Sequence, residues 1–323
     1  MTTFFGPYEV VAEVASGSTG TVFRVRHTEL DREAAVKELS PELRDVPGFV
    51  ERMRAEGETL ASLDNEHIVK VYDFVEEPDK VWIAEQWIDG LSLEKLLVSQ
   101  GPLTAEQSVG VIRGALIGLA YAHDRDLVHR DIAPNNILAD QDGTSMLVDF
   151  GLAAPVGGIS ALGTPAYLSP EAARGEPVTK PSDVYSAAAV LFALLNGTPP
   201  FLGADPAAVV KQHAESVAPA LTGHGPEFQA VIARSLDKNP ANRPPDAAAL
   251  LTELEDAAET RFGAGWLARA SIAGLVAAAT GVGVATTSGT AVTASVGAAE
   301  TATVDTATLS TSTAVPRKIL GMS

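Results

Sequence analysis

The first forty residues alternate apolar and polar side chains with a period of two. Tyr8 to Ala15, Thr21 to His27 and Glu33 to Leu39 each read as a strand, joined by short connections containing Gly, Ser or Asp. Together they predict an antiparallel meander. Phe49 to Leu63 changes to helical spacing, and Ile68 to Val75 and Val81 to Trp87 return to strand patterning, so a small sheet with one helix is expected here. Beyond Gly90 the pattern is mainly helical, with helices predicted over 104–123, 182–196, 205–216, 226–236 and 246–260. Between the first two lies a loop-rich stretch, 124–181, that holds most of the unusual residue combinations. No internal repeat is visible, and no cleavable signal peptide is read at the N-terminus.

Charge divides the chain. Its 323 residues carry a net −18 and no cysteine. Residues 264–323 hold only Arg269, Arg317 and Lys318 against Glu300 and Asp305, a balance of +1, which leaves −19 on the first 263. Such acidity argues against a nucleic-acid binder, because neutralising phosphates needs clustered Lys and Arg. The absence of cysteine excludes a disulfide scaffold, a thiolate zinc site and a catalytic thiol.

Four groups of residues carry candidate chemistry. Ala15-Ser16-Gly17-Ser18-Thr19-Gly20-Thr21-Val22 joins two strands, and its glycines would let backbone N–H groups approach phosphate oxygens, although a plain hairpin turn fits as well. Lys37 lies within the third strand among apolar neighbours, with Glu56 on the following helix as a suitable partner. His129-Arg130-Asp131-Ile132-Ala133-Pro134-Asn135-Asn136 precedes Asp149-Phe150-Gly151. Asp131 is placed to take a hydroxyl proton, while Asn136 and Asp149 offer oxygen ligands suited to a hard cation such as magnesium. Gly163-Thr164-Pro165-Ala166-Tyr167, Ser169-Pro170-Glu171 and Ser182-Asp183-Val184-Tyr185 follow in order.

With these motifs in this order, the chain resembles the eukaryotic-like protein kinase superfamily, and among it the bacterial serine/threonine kinases. The resemblance covers residues 8–262 and implies an α+β, bilobal protein-kinase fold: an N-lobe of antiparallel sheet plus one helix over 8–88 and a mainly helical C-lobe over 89–262. It implies that Ala15, Gly17, Ser18, Gly20 and Val22 cover ATP, that Lys37, paired with Glu56, holds its α/β-phosphates, and that Gln86 and Ile88 present hinge backbone groups to adenine. Asp131 would orient or deprotonate the substrate hydroxyl, and Asn136 and Asp149 would hold Mg²⁺, with Mn²⁺ as an alternative. Arg130 would receive an activation-loop phosphate, Thr164 would position substrate, Glu171 and Arg243 would form a buried ion pair, and Asp183 would anchor the catalytic loop.

Departures from the family pattern cut the other way. Ala133 stands where a lysine usually contacts the γ-phosphate, Ala15 replaces the first loop glycine, and Glu85 falls at the gatekeeper position, where a carboxylate must be paired, protonated or turned outward. The leading expectation is an ATP-dependent kinase acting on Ser/Thr of proteins and on itself, with Ser160 or Thr164 as self-phosphorylation sites and a kinase-domain homodimer as a further partner. The alternative is a pseudokinase that binds ATP as a scaffold or switch. A small-molecule kinase of the aminoglycoside phosphotransferase type shares the Asp…Asn…Asp core but not the Gly-Thr-Pro-Ala-Tyr turn.

After a juxtamembrane linker at 263–269, residues 270–299 carry no charge. As a helix, 270–290 would rise about 31 Å, enough for a bilayer core of about 30 Å. The expectation is a cytoplasmic kinase domain, a candidate single membrane span at 270–290, and a disordered low-complexity Ala/Thr-rich tail at 291–323. Ile272 and Leu275 are its only large aliphatic side chains besides valines, which weakens the case for insertion.

Overall fold

The computed structural model describes residues 3–17, 19–77, 79–150 and 164–281, without the Glu56 side chain. Ser18, Ser160, Gly151, Gly163 and residues 282–323 therefore lie outside the described residues, as does the tail predicted at 291–323.

The meander forms as the alternation requires. Strands β1 (Phe4–Phe5), β2 (Tyr8–Gly17), β3 (Gly20–His27) and β4 (Arg32–Leu39) are followed by α1 (Pro41–Arg44), α2 (Phe49–Ala61), β5 (Val71–Glu76) and β6 (Val81–Gln86). They make one antiparallel sheet in the order β1-β2-β3-β4-β6-β5. Period two separates the faces. Ala34, Val36, Trp82 and Ala84 pack outward with Phe5, Tyr8 and Val25 in a small aromatic-rich core, while Val81 and Ile83 face α2 and the main core. Ile68, expected in the fifth strand, instead bridges Leu147 of the other lobe.

A second sheet of three short strands, β7 (Gly90–Ser92), β8 (Ile137–Asp140) and β9 (Ser145–Leu147), was not legible in the periodicity. Three or four residues are too few to show alternation. The C-lobe helices are α3 (Leu93–Gln100), α4 (Ala105–His123), α5 (Pro170–Ala173), α6 (Lys180–Asn196), α7 (Pro206–Glu215), α8 (Pro226–Ser235) and α9 (Ala247–Phe262). Helix α4 starts at a reciprocal cap, Thr104 accepting from the Gln107 N–H while the Gln107 side chain accepts from the Thr104 N–H. Helix α6 is buried from Ser182 to Leu195, so it forms the axis of the lobe.

Packing continues past Phe262. Residues 263–269, read as a linker, form a glycine turn and a 3-10 turn (Trp266–Arg269) in which Trp266 is buried, and Arg269 bonds Glu106 of α4 at 2.7 Å. Helix α10 (Ala273–Thr280) then lies against α3, β7 and β8, with Ile272 and Val276 fully buried. A Cβ placed on Gly110, inside α4, would lie 2.6 Å from the Ala270 Cβ. A helix-interior glycine costs about 1 kcal/mol relative to alanine, and here the close approach of the returning chain gives it a reason. The described half of the 270–290 segment is thus an eight-residue helix capped by Gly281 at φ 74°. Among the described residues no single helix is long and apolar enough to cross a membrane.

Candidate functional site

The cleft between the two sheets gathers the motif residues. Lys37 sits in β4 opposite Val22 of β3 and Ile83 of β6. Its ammonium reaches across 112 residues of sequence to donate to the Asp149 carboxylate at 2.9 Å. Burial alone would lower the Lys37 pKa, but the charge and hydrogen bond of Asp149, with Glu85 and Asp131 further off, carry it above its usual value. It therefore stays cationic.

Glu85 is two residues beyond Ile83 on the same strand, so period two sets it on the same face as Lys37. Burial and the charge of Asp149 push its carboxyl up to about 8, and Lys37 pulls the other way. Of the three outcomes open to a gatekeeper carboxyl, protonation is the one favoured at neutral pH. Gln86 ends β6 with its N–H on the Lys70 carbonyl at 2.8 Å, and Ile88 follows outside the strand, in the segment expected to form the hinge. Arg24 lies over the Trp87 ring, 4.9 Å from its centroid, and pairs bidentately with Glu33. That clamp on the hinge was not anticipated, because nothing local to Arg24 or Trp87 marks them.

The loop glycines separate into two kinds. A Cβ on Gly20 would sit 1.9 Å from the Glu38 carbonyl oxygen, so strand packing already demands glycine there. Gly17 has no heavy atom within 4 Å of that position and is exposed, which leaves room for a ligand. Ala15 and Val22 face each other in the ladder between β2 and β3.

The catalytic-loop motif is held from beneath. Arg130 and Asp149 adopt left-handed φ values of 70° and 57°, which cost non-glycine residues about 1–2 kcal/mol each. Asp183, buried in α6, over-determines the first: its carboxylate accepts from the N–H of His129 at 2.7 Å and of Arg130 at 2.8 Å. His123 adds a third bond, donating from Nε2 to Asp183 while its Nδ1 accepts from the Ala247 N–H. His129 likewise donates from Nε2 to the Val148 carbonyl at 3.0 Å, accepts from the Asp131 N–H at Nδ1, and stacks on Phe150. Burial holds its pKa below the ordinary histidine value despite Asp183 and Asp131, so the ring is neutral. Asn136 donates from Nδ2 to both the carbonyl and the carboxylate of Asp131, each at 2.8 Å, and its carbonyl accepts from the Val148 N–H.

Several flanking residues behave as anchors. Arg243 pairs with Glu171 through two bonds of 2.8 and 2.9 Å, and Ser182 donates to the same carboxylate. Thr164 donates to the Asn135 carboxamide oxygen at 3.3 Å. His213 donates to the carbonyl of Ala166, in the turn after Thr164, and accepts from Tyr185, which Lys238 bonds in turn. Neither Asn135 nor His213 drew attention in the sequence, although Asn135 lies inside the motif.

Among the described residues no cluster of three or more His, Cys, Asp and Glu is placed to hold a metal. A hard cation here would rely on the Asp149 carboxylate, the Asn136 amide oxygen and the oxygens of a bound phosphate, the donor set that suits magnesium. The residues fit that ion.

A curled antiparallel lobe over a helical lobe, with a lysine, two aspartates and an asparagine facing one cleft, defines the bilobal kinase class. The family model for the protein kinase domain matches residues 8–254, and the chain belongs to that family. It is 37% identical over 262 residues to the serine/threonine-protein kinase PknL of Mycobacterium tuberculosis, covering 78% of this chain and 66% of that protein. It is 33% identical over 248 residues to PrkC of Bacillus subtilis, covering 74% and 38%. The chain spans less than two-thirds of the length of these curated relatives. The crystal structure of the Mycobacterium tuberculosis PknI kinase domain matches with a TM-score of 0.66 at 26% identity, covering 79% of this chain and 98% of that one.

Proposed function

We propose that the chain is an ATP-dependent serine/threonine protein kinase of bacterial signalling that also phosphorylates itself, with Ser160 as the first candidate acceptor. The observation that carries this is the Lys37 to Asp149 contact at 2.9 Å beside the Asp131 to Asn136 contact at 2.8 Å, four side chains from three separate segments. Magnesium, held by Asn136 and Asp149, would neutralise phosphate charge. Lys37 places one fixed cation against the α/β-phosphates. Asp131, its orientation set by Asn136, receives the proton of the attacking hydroxyl as the new O–P bond forms and the bond to ADP breaks. Little else is asked of the protein, since positioning and charge stabilisation dominate phosphoryl transfer.

The test is label transfer from γ-labelled ATP to a generic protein substrate by the purified full chain. Asp131→Asn should lower incorporation by roughly 10²-fold or more, the range for removing a general base; unchanged incorporation would sink the mechanism. A second reading, an ATP-binding pseudokinase, is favoured by Ala133, which is fully buried and supplies no cation at the γ-phosphate. Losing such a donor costs about 3–4 kcal/mol. That reading requires a nucleotide-dependent melting shift with no Asp131-dependent turnover.

A further inference from the structure

With alanine at 133, the side chain that the motif offers to Thr164 is that of Asn135. Thr164 donates from Oγ1 to Oδ1 of Asn135 at 3.3 Å, across 29 residues of sequence. Asn135 donates from Nδ2 to Oδ1 of Asn136 at 3.0 Å. Asn136 donates from Nδ2 to Asp131 at 2.8 Å. The directions follow from chemistry alone. Both partners of the Asn136 nitrogen are acceptors, so its amide orientation is determined, and its oxygen must accept. The Asn135 nitrogen therefore faces Asn136, and the Asn135 oxygen is left for the threonine hydroxyl.

We infer that Asn135 is a positioning residue that couples the substrate loop at Thr164 to the metal ligand Asn136 and, through it, to Asp131. This deepens the kinase reading and rests on it. The aligned amides run donor to acceptor from Thr164 to Asp131, and aligned hydrogen bonds polarise one another in the same sense. The Asn135 bond occupies one lone pair of the Asn136 oxygen and leaves the other for the cation. The 3-10 turn Pro134–Asn136 makes this geometry available by presenting consecutive carboxamides to the cleft, Asn135 exposed and Asn136 buried. Asn135 thus meets a residue of the Gly-Thr-Pro turn and the buried Asn136 at once.

The experiment uses the full chain and compares Asn135→Ala, Thr164→Val, the double variant and Thr164→Ser. Two quantities are read: turnover with a protein substrate, and the ratio of ATP affinities with and without Mg²⁺, which needs no turnover. Asn135→Ala should lower turnover about tenfold and shrink the Mg²⁺ enhancement of ATP binding several-fold, while ATP affinity without Mg²⁺ and the melting temperature stay unchanged. Thr164→Val should shrink the Mg²⁺ enhancement in the same direction, the double variant should lose little more than Asn135→Ala alone, and Thr164→Ser, which keeps the hydroxyl, should keep the Mg²⁺ response. An undiminished Mg²⁺ enhancement in Asn135→Ala, or fully multiplicative losses in the double variant, overturns the coupling. Wild-type chain that binds Mg-ATP in an Asn135-dependent way but transfers no phosphate would overturn the kinase reading and leave the coupling standing; no Mg²⁺-dependent binding at all would overturn both.

Discussion

Arg243→Met should destabilise the C-lobe far more than its removal of one side chain suggests. The guanidinium is fully buried and Glu171 nearly so, with side-chain exposures of 0% and 5%. Beyond its two bonds to Glu171, Arg243 donates to the carbonyls of Asp237 at 2.7 Å, Pro181 at 2.8 Å and Lys238 at 3.2 Å, and it lies over the Tyr185 ring. It thus ties the helix carrying Glu171, the start of α6 and the 237–243 loop into one joint. Deleting it leaves a buried carboxylate with only the Ser182 hydroxyl, a cost of about 3–5 kcal/mol for a pair broken on one side. At about 2–4 °C per kcal/mol for a domain of this size, the melting temperature should fall by roughly 6–20 °C. Replacing both partners, Glu171→Leu with Arg243→Met, should cost less than Arg243→Met alone, because no unpaired charge remains.

The pH dependence of that cost has a definite sign. Burial would raise the Glu171 pKa, but the hydrogen bonds of Arg243 and Ser182 and the Arg243 charge more than reverse this and hold it below the usual carboxylate range. A depressed acid contributes stability that is fully present above its unfolded pKa and is lost as pH falls through the folded value. In Arg243→Met burial is opposed only by the remaining hydrogen bonds, chiefly that of Ser182, and the carboxyl is stabilised by protonation as pH falls. The gap between wild type and variant, measured by thermal melts from pH 7.5 down to 5, should therefore narrow. A melting shift below 2 °C, or a gap that ignores pH, would refute the reasoning.

Other expectations concern the cleft and the returning C-terminal chain. Glu85→Met should melt higher than wild type, and by more at pH 8 than at pH 6. An acid raised to about 8 by burial and Asp149 leaves the folded state losing stability between its ordinary pKa and 8, at up to about 1.4 kcal/mol per pH unit; a pH-independent difference would contradict this. Lys37→Ala should abolish detectable phosphoryl transfer while sparing the fold, checked by circular dichroism alongside the label assay. Ile272→Ala, at a position 1% exposed in the packed strap, should cost about 2–4 kcal/mol in the melt of the full chain. No change would mean that the segment does not dock on the C-lobe in solution.

Much of the site could be read without a structure because its chemistry is clustered in short motifs. Asp131 and Asn136 lie five residues apart, and the apolar run before Asp149 marks a strand end. The N-lobe strands β2 to β6 were legible for a related reason: six to ten residues are enough for period two to show. Where elements were short, as in β7, β8, β9 and α10, local composition had too few positions to discriminate. Ala273–Thr280 is apolar enough to suit lipid or a protein core, and only the groove between α3 and the β7–β8 pair distinguishes them.

By itself the chain determined its strands and long helices, the order of its motifs and the residue types that a nucleotide site would need, since each is encoded in neighbours along the backbone. The tertiary structure decided the pairings. It brought Lys37 to Asp149, gave Asp183 two backbone amides by which it holds a left-handed arginine in place, and set Asn135 between Thr164 and Asn136. It also showed Gly20 to be required by the next strand, while Gly17 is left open. Such contacts depend on how separate faces approach one another within a few ångströms, and spacing along the chain does not carry that distance.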